Sequence, residues 1–331
     1  MRNCVDFVIA WVDGSDPGWL REKEKYCGIT VVSEESRFRD WGLLRFWFRG
    51  VERFAPWVNK IHFITFGHLP GWLNIRHPKI HIVNHKDFIP AKYLPTFNSH
   101  TIELNFHRIP GLAEQFVYFN DDMFLINHVN PDDFFQNGVP KETCCLDVLH
   151  FTSNSASFID SNNIALLNDR FSKKDFVHQN FLKLFTPGVG ARKFFKNILL
   201  LPFPFFTGFF NHHIASSFLK NSYLLAWEIF PEQLDSTCCC KLRNNTNINQ
   251  WLIKDLQFIN GCFMNREINF GKRFNLTEQN VADCCKFIQQ QKVKVLCIND
   301  NEQLKDFTNV KSEVQHAFTA LLPEKSKFEN A

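Results

Sequence analysis

LPTFNSHTIELNFHRIPGLAEQFVYFNDDMF, residues 94–124, carries a helix, a turn, a strand and a pair of acids in one continuous stretch. Asn98 and Ser99 are good helix caps, the residues after them set Ile102, Leu104 and Phe106 among polar neighbours, and Pro110-Gly111 ends the element. The spacing predicts a helix over about 99–108. FVYF at 116–119 is aromatic and β-branched, suits a short interior strand, and runs directly into Asn120, Asp121 and Asp122. The acids then stand at a strand's carboxyl end. Ligands bind there in open α/β sheets, and two adjacent carboxylates suit a hard divalent cation that also meets substrate phosphates. From these residues alone, an Asn-Asp-Asp turn with solvated acids fits equally well.

Working outward, VDFVIAWV at 5–12 is an apolar run of strand length, and DGSDPGW closes it with turn residues. Asp13 and Asp16 would again follow a strand's end, with Gly14 allowing close backbone approach. DWGLLRFWFRGVERF at 40–54 places Leu43, Leu44, Trp47, Val51 and Phe54 on one helical face. Arg37, Arg39, Arg45 and Arg49 are left for solvent or a phosphate. KIHFITFG at 60–67 and KIHIVNH at 79–85 are strands, giving the order strand, helix, strand, strand, helix, strand. That alternation predicts an α/β fold, Rossmann-like, with a largely parallel sheet flanked by helices. Neither a G-x-G-x-x-G nor a G-x-x-x-x-G-K-[ST] is present, so phosphates must be held by a metal, by Arg or by turn amides.

Beyond Asp122, CCLDVLHF at 144–151 is expected to be a strand, and 152–210 a mainly helical insertion. His212 and His213 are expected to open a helix over 216–229, with Arg243 following in a polar loop before a helix carrying Trp251 and Leu252. VKVLCIND at 293–300 is a last strand ending in Asp300.

The chain has 331 residues, of which 45% are hydrophobic, enough for one large α/β domain. A net charge of +3 is too small to argue for nucleic acid as partner. Phe, at 38, is abundant and is read as core filler rather than a binding stripe. Eleven cysteines, several vicinal and none in a C-x-x-C pair, fit reduced thiols in a cytosol better than disulfides or zinc, so no metal is assigned to cysteine. No signal peptide or spanning run is evident. ILLLPFPFF at 198–206 is too short and Pro-broken to span, but could rest against a membrane or a partner if exposed.

The stretch 94–124, with SRFRDWGLLRFWFRGVERFAPWVNKIHFITFGHLPGWLN at 36–74, resembles the second conserved region of the Stealth family, sugar-1-phosphate transferases of microbial capsules. The animal enzyme that places GlcNAc-1-phosphate on lysosomal glycoproteins is similar. DFVIAWVDGSDP resembles the family's first region, FFNHHIASSFLKNSYLLAWEIFPEQLDSTCCCKLR its third, and VKVLCIND with LLPEKSKFE its fourth. One catalytic domain over 1–331 is therefore expected, with conserved regions at about 4–18, 36–135, 205–255 and 293–329. It resembles the compact bacterial form, without the animal enzyme's long inserts. The third region departs in one respect: Ala215 stands where the family often has Pro, leaving His212 and His213 both open as its histidine.

The resemblance implies transfer of a sugar-1-phosphate from a UDP-sugar to a hydroxyl of a glycan acceptor, lipid-linked acceptors included, with release of UMP. It implies Asp121, Asp122, His213 and Arg243 as catalytic residues. It further implies Asp13, Gly14, Ser15, Asp16, Arg37, Asp40, Arg45, Asn98, Ser99, Glu103, His107, Arg108 and Asn120 around the substrates. Asp121 and Asp122, with Asp300 as a third carboxylate, would hold Mg²⁺ or Mn²⁺, while Arg243 and Arg37 would pair with phosphate oxygens. Either His213 or an Asp could be the base. The expected location is cytoplasmic, at the inner face of the membrane. Two rivals are a metal-dependent glycosyltransferase, which would release UDP, and a catalytically silent carbohydrate-binding protein of the same fold.

Overall fold

The computed structural model describes residues 4–27, 39–151, 157–301 and 303–330. The chain runs β1 (Val5–Ala10), α1 (Pro17–Glu24), α2 (Leu44–Phe54), β2 (Ile61–Thr65), β3 (Ile80–Asn84), α3 (His85–Phe88), α4 (Ser99–Leu104) and β4 (Gln115–Phe119). After a tight turn come β5 (Met123–Leu125), β6 (Phe135–Gln136) and β7 (Val139–Glu142), then α5 (Ser157–Arg170), α6 (Lys173–Leu184) and α7 (Ala191–Leu200). β8 (Ser216–Leu219) leads into α8 (Lys220–Ile229), α9 (Pro231–Cys239) and α10 (Trp251–Ile259). β9 (Met264–Asn265), β10 (Gly271–Asn275), α11 (Val281–Gln289), β11 (Val295–Asn299) and α12 (Phe307–Leu321) complete the described elements.

The main sheet has the order β3-β2-β1-β4-β8, in which the first four strands are parallel and β8 is antiparallel to β4. This is the α/β architecture the alternation predicts. β1, β2 and β4 are covered on both faces, which is why they read as continuous apolar runs rather than alternating ones. Alternate side chains divide between two cores. Phe7, Ile9, Val117 and Phe119 face α2 and α12, while Val8, Phe116, Tyr118 and Phe218 face the α8–α10 side. A second sheet, β10-β11-β5, is entered directly from β4 through the turn at Asn120–Asp122, with β5 antiparallel to β11. The acids thus sit where the chain passes from one sheet to the other.

The helix expected at 99–108 forms as α4 followed by a 3-10 turn at Phe106–Arg108, capped by Asn98, whose Oδ1 accepts from His100 N at 3.1 Å. Two expectations are corrected. Residues 144–151 form no strand, only a bridge between Leu146 and Phe209, because the segment leaves the core: Cys144 to Leu146 are buried, whereas Val148 and Phe151 are exposed. Residues 216–219 belong to a strand, not to the helix expected over 216–229, which starts at Lys220. The open edge of β4 needs a partner for its backbone groups, and that tertiary demand outweighs local propensity. The return from α8 is itself helical, through α9, whose first residue is Pro231. α1 is less exposed than its polar composition suggests, since Trp19 and Lys23 are buried.

Candidate active site

A cleft of about 850 Å³ opens at the carboxyl ends of β1, β4 and β11. Its floor is Trp11 to Ser15, Asn120 to Asp122, and Ile298 to Asp300; Ser99, Ile102 and Glu103 of α4, with His213, Leu242, Arg243 and Asn249 to Trp251, form its walls. Strand ends collect ligands because the backbone stops pairing there and loops diverge.

The centre is Asp122. Its Oδ2 lies 3.6 Å from His213 Nε2 and accepts from Cys297 Sγ at 3.3 Å, and its backbone carbonyl accepts from Ile298 N at 2.8 Å. His213 reaches it because β8 runs antiparallel to β4 with Ser216 opposite Tyr118, so the chain before β8 and the chain after β4 meet at one end of the sheet. The His213 ring also stands edge-on to Trp251, 6.0 Å between centroids. Asp121 faces the solvent of the cleft, yet the surrounding protein and then the adjacent Asp122 charge push its carboxyl up to about 7. Asp122 Oδ1 and Asn120 Oδ1 are buried with no hydrogen-bond partner among the described residues.

Those two oxygens, beside the adjacent Asp121 and Asp122 carboxylates, fit a hard divalent cation. Asp121, Asp122 and Asp300 all line the cleft. Among the described residues, Asp122, His213 and Cys297 bring their ligand atoms within 4.8 Å of one another. A thiol is a poor ligand for Mg²⁺, and the oxygens suit that ion better.

Arg243 is held from the opposite wall. Its Nη2 donates to Ser99 Oγ at the start of α4, and its positive charge opposes the burial that pushes the Glu103 carboxyl up to about 7. Tyr118 OH donates to Glu103 Oε1 at 3.2 Å. The loop carrying Arg243 is tied to the helix cap: Asn98 Nδ2 donates to Asn247 Oδ1 at 2.9 Å, and Phe97 N to Lys241 O at 2.9 Å.

The remaining expected residues divide. Asp13, Gly14, Ser15, Asp40, Ser99, Glu103 and Asn120 line the cleft. Asp13 Oδ1 accepts from Ser15 Oγ and N at 2.6 and 2.9 Å, and the Ser15 hydroxyl bond holds its carboxyl below the usual range. Asp16, instead, caps α1, accepting from Trp19 N at 2.6 Å. Arg45 stacks over Trp72, and Asn98 is fully buried as a cap. His107 packs between Tyr223 and Trp227, where burial pushes its imidazole down to about 3, and Arg108 lies over Trp227. None of these five lines the cleft. Arg37 lies outside the described residues. Of the two histidines, His213 faces the cleft, while His212 is turned inward and burial pushes it down to about 3.

Sequence reasoning missed Trp11, Trp19, Phe97 and Trp251 as aromatic walls, Arg273 as a further cation, and Cys297 beside Asp122; Arg39, left for solvent or a phosphate, lines the cleft. Arg39 stands 3.9 Å from Asp300. Only the SRFRD segment could have pointed to Arg39; the aromatics carry no local signal separating cleft from core.

Family models for Stealth protein CR1 and CR2, conserved regions 1 and 2, match residues 5–29 and 37–143. The capsular polysaccharide phosphotransferase WcwK of Streptococcus pneumoniae is 41% identical over 335 residues, covering 99% of each chain. The receptor polysaccharide phosphotransferase WefC of Streptococcus oralis is 36% identical over 99% of both chains. The exopolysaccharide phosphotransferase cps2G of Lactiplantibacillus plantarum is 36% identical over 98% of this chain and 96% of that one. Among solved structures, a galactosyltransferase LgtC aligns over 97% of this chain and 98% of its own at 10% identity and a TM-score of 0.41, a likeness too loose to bear on the site.

Proposed function

Given that the chain belongs to the Stealth family, we propose that it transfers a sugar-1-phosphate from a UDP-sugar to a hydroxyl of a glycan acceptor in capsular or cell-surface polysaccharide synthesis, releasing UMP. What supports this reading is the convergence in one cleft of Asp121, Asp122, His213 and Arg243, drawn from three separate parts of the chain. The acceptor oxygen attacks the sugar-bearing phosphorus, the bond from that phosphorus to the bridging oxygen breaks, and UMP leaves with the bridging oxygen. His213 takes the acceptor proton, its imidazole lining the cleft beside Asp122. Asp122 orients the imidazole, and Arg243 pairs with a phosphate oxygen from the opposite wall. A divalent cation held by Asp121 and Asp122, with Asp300 near, would when bound neutralise phosphate charge.

The acceptor in this reading is lipid-linked and met at the inner face of the cell membrane. The experiment is incubation with UDP-sugars, Mg²⁺ and capsule-type acceptors, followed by identification of the released nucleotide. UMP, with phosphate retained between sugar and acceptor, is expected. UDP, with a sugar lacking phosphate on the acceptor, would replace this reading with a glycosyltransferase.

A further inference from the structure

The helix α7, ARKFFKNILL, is built inside out. Its inward face carries Lys193, Asn197 and Leu200, spaced four and three residues apart, whereas Phe195, Ile198 and Leu199 on the other face are 62%, 42% and 73% exposed. The buried polar groups are satisfied: Asn197 Nδ2 donates to Leu184 O at 2.9 Å, its Oδ1 accepts from Leu146 N at 2.8 Å, and the Lys193 ammonium lies 3.6 Å from the Phe210 ring centroid. The helix is therefore fixed in this orientation, and rotation to hide the apolar face would strand those groups.

The face continues beyond α7. Phe181 meets Phe185, Phe185 meets Phe194, and Phe194 meets Phe195, with centroids 4.7, 5.4 and 6.0 Å apart, so the exposed end of α6 adjoins α7. Leu182 there is 83% exposed. After α7, Phe203 and Phe205 project at 51% and 64% exposure from the Pro-broken segment. Lys173 Nζ, donating to the carbonyls of Leu200 and Phe203, pins that segment in place. These phenylalanines are not the core filler that composition suggests.

Charge indicates what covers the face. From Phe176 to Trp227 the sequence has no Asp or Glu, but it has Lys183, Arg192, Lys193, Lys196 and Lys220. Lys196 pairs with Asp147, while Arg192 is exposed on α7 beside the apolar stripe. Projecting aromatic and aliphatic side chains around the exposed Arg192, on a segment whose nearest acids in sequence are Asp175 in the first turn of α6 and Glu228 near the end of α8, are the pattern of a surface that lies in a bilayer interface. No helix among the described residues is long and apolar enough to cross a membrane.

We propose that the outer face of α6, α7 and the Phe203–Phe205 segment docks on an anionic lipid bilayer. This deepens the lipid-linked reading of the acceptor given above, and its test reads binding without turnover. The full chain is floated with vesicles of phosphatidylcholine alone and of phosphatidylcholine mixed with phosphatidylglycerol, at low and high salt. Wild type is expected to float with the anionic vesicles, several-fold less with neutral ones and less in high salt. The pair Phe195→Ser and Leu199→Ser should weaken this by about tenfold or more, and Arg192→Glu by less. Both substituted positions are exposed, so an unchanged melting temperature and unchanged nucleotide release with a soluble acceptor show that fold and cleft are intact. Equal flotation of wild type and the double variant, or none by wild type, overturns the proposal. So does wild type that ignores vesicles but forms a dimer abolished by the same pair, which would assign the face to a second copy. Loss of UMP release with vesicle binding retained would overturn the function proposed above and leave this surface standing.

Discussion

His213 Nε2 lies 3.6 Å from Asp122 Oδ2, although the two residues belong to segments joined only through the whole helical insertion. The antiparallel pairing of β8 with β4 brings them together, and Arg243 closes the same cleft from the loop beside α4. If they act on one phosphate, His213→Ala and Arg243→Ala should each lower kcat by several orders of magnitude, and the double variant should lose far less than the product. Single-turnover rates for the four proteins check this; fully multiplicative losses would mean separate roles. His212→Ala, at a half-buried ring outside the cleft lining, should lower the melting temperature more than the rate.

Asp122→Asn and Asp121→Asn are expected to reduce turnover at least about a hundredfold, the order of effect of losing charge stabilisation by a bound metal, with the fold intact. Circular dichroism and activity with and without EDTA test this. Wild-type activity that survives EDTA, together with turnover retained in both variants, would refute a metal role for the acids.

Asp121 also predicts a pH dependence. Its folded-state value, about 7, lies above the ordinary 3.8, so it favours the folded state at low pH and that contribution is lost as pH rises through about 7. Glu103 acts in the same direction, which makes the comparison with Asp121→Asn the informative one. Relative to that variant, the metal-free wild type should lose thermal stability between these values, and Mg²⁺ should restore more of it at pH 8 than at pH 6. A wild-type profile parallel to the variant's would show that Asp121 ionises normally.

Arg266 and Glu142 form a buried pair at 3.2 Å behind the start of β8. Arg266 donates to Ala215 O at 3.1 Å and Ser217 Oγ at 2.8 Å, and Glu142 Oε1 accepts from Ser217 N at 2.6 Å. Removing one partner strands the other charge, so Arg266→Met should cost about 3–5 kcal/mol by urea unfolding. Because the pair fixes the chain immediately after His213, activity should fall even where the variant remains folded. An undiminished rate would separate this pair from His213 placement.

Asn98→Ala removes the cap of α4 and the tie to Asn247. A loss of about 1–3 kcal/mol is expected for a cap and a buried amide bond. With Arg243 loosened, KM for the donor should rise more than it does in a surface control such as Lys174→Ala. Unchanged KM would leave Asn98 a purely structural residue.

The main sheet was legible because β1, β2 and β4 are covered on both faces, and two-sided burial writes itself as a continuous apolar run. The placement of Asp13 and Asp122 followed at once, since the acids come directly after those runs. β8 was not legible: Ser-Ser-Phe-Leu is too short and too polar to separate strand from helix, and only the open edge of β4 decides it. For the same reason, one helix over 216–229 and a polar loop were expected between His213 and Arg243, where the structure has an edge strand and two helices. Asn98, His107 and Arg108 were expected at the site because the resemblance implies them, yet successive side chains around a helix point to different faces, and these three do not line the cleft. Cys297 beside Asp122 and the apolar outer face of α7 depend on contacts between distant segments, which local composition does not record. Sequence by itself determined β1, β2 and β4 and the acids that follow β1 and β4; the tertiary structure decided which side chains meet there, because that depends on strand pairing and helix rotation.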